Sequence, residues 1–112
     1  MGWRYRLRLW VIRRFAVGIA RTQKRCYITL RRRHPLASEE QILRQVLRAR
    51  LGYSEADVEN MALECKTLYD LCWWVIVREF MEACKDPIDA GYARYMLENL
   101  VSDAVRRVLE SP

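Results

Sequence analysis

From Val11 onward, apolar and basic residues recur with a period close to 3.6. On a helical wheel Val11, Ile12, Phe15, Ala16, Ile19, Cys26 and Leu30 share one side, and Arg13, Arg14, Arg21, Lys24 and Arg25 fall mostly on the other. This pattern predicts a basic amphipathic helix over 9–32. Its end is set by His34-Pro35, because the residue before a proline is pushed out of helical geometry. Upstream the period changes to two. Trp3, Tyr5, Leu7 and Leu9 alternate with Arg4, Arg6 and Arg8, which fits a short strand or an extended arm.

Ser38-Glu39-Glu40-Gln41 has the spacing of a capping box and opens a second helix over 38–51, with Ile42, Leu43, Val46, Leu47 and Ala49 inward. Gly52 can supply the left-handed residue that ends it. Ser54, with Asp57 three residues on, caps a third helix. No glycine or proline interrupts that helix before Asp86-Pro87, so it is expected to run over 55–85, with Val58, Met61, Ala62, Cys65, Leu68, Tyr69, Cys72, Ile76, Phe80 and Ala83 as its inner stripe. Within it, 71–77 (Leu-Cys-Trp-Trp-Val-Ile-Val) is apolar all the way round. A helix with no polar face is buried on every side. This one is either the central helix of the bundle or a contact between subunits. Asp86-Pro87-Ile88-Asp89 opens a last helix over 88–109, with Ala93, Met96, Leu97, Leu100, Val101, Ala104, Val105 and Val108 on its apolar face.

The expected architecture is all-α: a compact bundle of about four helices with a basic N-terminal helix or arm. One domain over 1–112 accounts for the length, with a basic segment over 1–35 and a helical core over 38–110. A hydrophobic fraction of 52% excludes wholesale disorder. No apolar run approaches the roughly 20 residues of a membrane span, and Arg13-Arg14 interrupts the only candidate for a signal peptide. A cytoplasmic setting with reduced thiols is the expectation.

Charge changes this picture most. No acid precedes Glu39. Through Gly52 there are 14 basic residues against two acids, a net +12, and from Tyr53 onward the balance is −6. The halves therefore grip each other, or the first grips something acidic, or both. Arginine outnumbers lysine 17 to 3, and the guanidinium is the better group for planar contacts to phosphate or carboxylate.

Candidate chemistry is sparse. Cys26, Cys65, Cys72 and Cys84 form no paired metal motif, and the only histidine is His34, so the cysteines are read as core hydrophobes and His34 as an exposed loop residue. No metal site, cofactor or catalytic residue is expected. Glu79 falls on the apolar stripe of the third helix and needs a cationic partner, which the N-terminal half can supply. The Gly52 turn has helix-turn-helix spacing, but Glu55, Asp57, Glu59 and Glu64 beyond it would repel phosphates.

The leading expectation is a non-enzymatic binding protein whose basic half engages nucleic acid, DNA or RNA, by phosphate contacts. Arg4, Arg6, Arg8, Arg13, Arg14, Arg21, Lys24, Arg25, Arg31, Arg32, Arg33, Arg44 and Arg48 are the candidate contacts, with Trp3, Tyr5 or Trp10 stacking on bases. The alternatives are an oligomeric adaptor that meets an acidic protein and a peripheral membrane protein held by the basic helix. A homodimer is expected through Trp74, Val77 and Met81, since adjacent Trp73 and Trp74 cannot both face one core.

Overall fold

The computed structural model describes residues 3–50, 52–83 and 87–111, with side chains over 10–50, 52–80 and 98–111. Among the described residues there are five helices and no strand: α1 (Trp3–Arg33), α2 (Glu39–Arg48), α3 (Glu55–Glu64), α4 (Leu68–Ala83) and α5 (Pro87–Glu110). The all-α class holds. The number of helices differs because the expected third helix is two.

The break falls at 65–67. Cys65 adopts an extended conformation (φ −105°, ψ 104°), and Thr67 starts the chain again as an N-cap. The Asp70 amide donates to Thr67 Oγ1 (3.2 Å), while Asp70 Oδ2 accepts from the Lys66 amide (3.2 Å). One donor orphaned in the first turn of the new helix is thereby satisfied, and the amide just before the cap is held as well. The two expected capping boxes are also formed, at Ser38–Gln41 and at Ser54–Asp57. α2 stops at Arg48, short of 51, and Gly52 takes its positive φ of 87° in the turn beyond. The Trp3–Leu9 alternation belongs to α1. A lone strand with no partner strand to pair with is not stable, and Trp3–Leu7 and Tyr5–Leu9 are also i, i+4 pairs on a helix.

α4 is the central element. Its Cys72 and Ile76 join one core cluster with Ala16 and Ala20 of α1 and Val101, Ala104, Val105 and Val108 of α5. Its Leu71 and Val75 join a second with Ile42, Leu43, Val46 and Leu47 of α2 and Val58 and Cys65 of α3. The run that is apolar all round is therefore covered from both sides within one chain. The bend at 65–67 permits this, because α3 turns away to pack on α2 while α4 passes between the clusters.

α1 lies against α5, α4 and α2. Its inner arc is Ile12, Ala16, Ile19, Ala20, Gln23, Cys26, Tyr27 and Leu30. Val11 and Phe15, expected inside, are exposed. They fall beside the arc rather than within it, and the small Ala16 and Ala20 make the close contact instead. At the other end, Lys24 Nζ donates to the carbonyls of Val108 (2.7 Å) and Ser111 (2.5 Å). A cation thus closes the negative end of α5 and ties it to α1.

Candidate nucleic-acid interface

The described arginines of the basic half fall into two sets. The first is spent on the fold. Arg31 donates to Glu39 Oε2 (2.7 Å) and to the Ala37 carbonyl (2.5 Å), beside a Tyr27 hydroxyl that donates to the same Glu39 oxygen (2.8 Å). Burial, and then the bond to Glu39, push the Tyr27 hydroxyl above its ordinary pKa. Arg44 pairs with Glu40 (3.0 Å) and Glu59 (3.2 Å), and Arg48 with Glu55 (3.2 Å). The acidic face of α3 is therefore turned onto α2, its immediate neighbour in the Gly52 turn. Arg50 crosses to Glu79 on α4 (3.0 Å), the ion pair that the position of Glu79 called for. Arg78 reaches Asp57 (3.2 Å), and its guanidinium lies 4.5 Å from the Tyr53 ring centroid.

The second set lies on α1. Arg13, Arg14, Arg21, Arg25, Arg32 and Arg33 are exposed, and among the described residues none of them meets a carboxylate. At 100° per residue, Arg14, Arg21, Arg25 and Arg32 project within about 40° of one another, diametrically opposite the buried arc. They form a straight row about 27 Å long at 1.5 Å per residue. Trp10, 54% exposed, stands at the N-terminal end of the row with the Arg14 guanidinium 4.9 Å from its ring centroid.

Of the thirteen residues proposed from sequence, Lys24, Arg31, Arg44 and Arg48 thus hold the fold together, and the side chains of Arg4, Arg6 and Arg8 lie outside the described residues. Trp3 and Tyr5 lie there as well. Of the proposed subunit contact, Val77 is only 7% exposed, covered by its own chain. Trp74 is half-buried against the α2–α3 cluster, and Met81 lies outside the described side chains.

The three described thiols are poor nucleophiles, and Cys84 lies outside the described residues. Burial pushes Cys65 and Cys72 up to about 12 and raises Cys26 above its ordinary value. His34 is exposed in the turn after α1. Among the described residues no group of His, Cys, Asp and Glu could hold a metal ion, and no helix is long and apolar enough to cross a membrane.

One open cleft was not legible in the sequence. It lies between α4 and α5, has a volume of about 350 Å³, and is lined by Tyr69, Asp70, Trp73, Trp74, Glu98 and Ser102. No family model, curated protein or solved structure matches the chain.

Proposed function

We propose that this is a non-enzymatic nucleic-acid-binding protein that lays the outer face of α1 along a phosphate backbone. One observation carries the reading. Arg14, Arg21, Arg25 and Arg32 form a single row that meets no carboxylate among the described residues, in a chain that neutralises its other described basic-half arginines, apart from Arg13 and Arg33, within the fold. Exposed guanidinium groups in a straight row suit the regularly spaced charges of a backbone, and they recognise charge rather than sequence. Trp10 adds a ring on which a base can stack.

The same face suits a membrane surface less well. An interfacial helix gathers its exposed apolar residues on one side. Here Trp10 and Ile28 flank the row on one side, and Val11 and Phe15 flank it on the other, with arginine between them.

The test is the salt dependence of affinity for a short duplex and a single strand. Replacing Arg14, Arg21, Arg25 and Arg32 by Gln removes four phosphate contacts. It should flatten the slope of log K against log salt by about 3.6 on duplex and about 2.8 on a single strand. Replacing Arg44 and Arg48, which hold α3, should change the slope by less than one. Undetectable binding at low salt, or equal effects of the two sets, would overturn the reading.

A further inference from the structure

The cleft between α4 and α5 has a chemistry opposite to that of α1. α4 supplies Tyr69, Asp70, Trp73 and Trp74, which lie along one side of the helix over about one and a half turns, and α5 supplies Glu98 and Ser102, one turn apart. The two indoles meet edge to face, with centroids 5.1 Å apart and planes at 85°, so they form a corner. All three aromatic residues are only part-buried, and the cleft is open to solvent. Glu98 is exposed and has no cationic partner among the described residues. Asp70 spends one oxygen on the Lys66 amide and sits at the positive end of α4, so Glu98 carries most of the uncompensated charge.

An indole corner with a carboxylate at its rim that meets no described cation is a site for a cation. Aromatic faces attract positive charge through the ring quadrupole, most strongly for tryptophan. Among biological cations the guanidinium fits best, because its plane stacks on an indole while its edge donates to a carboxylate. The volume lies near the lower end of the range for ligand sites, about 300–1,000 Å³, which suits one side chain entering from the surface. None of the free arginines of α1 lines the cleft, so the molecule does not fill it with its own described cations.

We propose that this cleft is a second binding site, for an arginine side chain on a basic segment of a partner protein. It stands apart from the arginine row in place and in chemistry. Arginine of the partner enters over the Trp73–Trp74 corner, and Glu98 holds its guanidinium.

The experiment follows the tryptophan indole N–H resonances of the ¹⁵N-labelled full chain during titration with N-acetyl-arginine amide. The Trp73 and Trp74 signals should shift and saturate while those of Trp3 and Trp10 stay in place. The neutral isostere N-acetyl-citrulline amide should bind roughly tenfold more weakly, equivalent to about 1.4 kcal/mol. Glu98→Gln, an exposed change that spares the core, should weaken arginine binding several-fold while leaving the nucleic-acid salt slope untouched. Unmoved Trp73 and Trp74 signals would overturn the proposal, as would equal shifts with citrulline. Tetramethylammonium binding more tightly than arginine would make the occupant a free organic cation. Shifts that follow protein concentration alone would make it a second copy of this chain. Either result would also overturn the proposal.

Discussion

Arg50 and Glu79 join the two oppositely charged halves of the chain, and the strength of their pairing can be worked out from the structure. At 3.0 Å and an effective dielectric of about 20, the gross attraction is about 5.5 kcal/mol. Two costs offset most of it. The side chains retain only 21% and 29% exposure, so both ions lose much of their hydration. Each long side chain also gives up up to about 2 kcal/mol of rotamer freedom. Fully exposed pairs contribute about 0–1 kcal/mol, and breaking a fully buried pair costs about 3–5 kcal/mol. This pair lies between those cases, and a coupling energy of about 1–1.5 kcal/mol is expected. Glu79→Gln should destabilise by about 2 kcal/mol, because it leaves a half-buried guanidinium whose Nε already lacks a partner. Arg50→Met should cost a similar amount, part of it from the Tyr53 ring 5.7 Å away. The assay is a double-mutant cycle by urea denaturation, in which the double variant should be less destabilised than the sum of the singles. A coupling within about 0.3 kcal/mol of zero, the usual limit of additivity, would mean that the pair is an incidental surface contact and that the halves are held by apolar packing alone.

Two further outcomes follow from local geometry. Thr67→Ala should lower stability by about 1 kcal/mol, whereas Thr67→Ser should cost only a few tenths; equal stability of all three proteins would show that α4 does not start at this cap. Cys65 and Cys72, with folded-state pKa values pushed up to about 12, should resist alkylation at pH 8.5 until the chain is unfolded, as read by peptide mass mapping. A raised folded pKa favours the native state below the unfolded thiol pKa of about 8.5 and loses that advantage as pH rises toward the folded value. Stability should therefore fall between pH 8.5 and 12, and Cys72→Val should make the fall shallower; alkylation of the native thiols at the rate of a free thiol would refute the burial argument.

What could be read from the residues depended on whether a local signal competed with a longer one. Ser38 and Ser54 stand at the start of new apolar periods, so their caps were legible. The Thr67–Asp70 cap has the same form, but Met61, Cys65, Leu68 and Cys72 keep an unbroken helical spacing across it. With no glycine or proline nearby, periodicity outweighed the cap. That one break changes the meaning of 71–77. In a straight helix of about 30 residues the run is either the bundle's central element or a subunit contact, whereas in a bent one α3 and α2 cover one side and α1 and α5 the other. Glu79 was legible as a charge in need of a partner. The identity of Arg50 was not, because it depends on how the Gly52 turn swings the end of α2 toward α4. The cleft was hidden for a similar reason: Glu98 reads as an ordinary exposed acid until α5 is laid beside α4.

The charge split itself needs dividing. A net +12 over the first 52 residues suggests a uniformly cationic half, but a sequence cannot say which charges are already satisfied. The structure separates them by position, with Lys24 and Arg31 of α1 in the satisfied set. On α2 and in the turns, arginines meet carboxylates of α3, α4 and the α2 N-terminus, and their removal should be felt in stability. On the outer arc of α1 they meet none among the described residues, and exposed substitutions away from caps and pairs usually stay within about 0.5 kcal/mol. Gln is also a good helix former, so the four-residue variant of the α1 row should unfold at nearly the parent's urea concentration. This makes the binding experiment decisive. If affinity falls with stability unchanged, the loss belongs to the phosphate contacts. If stability falls as well, the row has intramolecular partners, and the assignment of α1 as the free cationic surface would be wrong at its root.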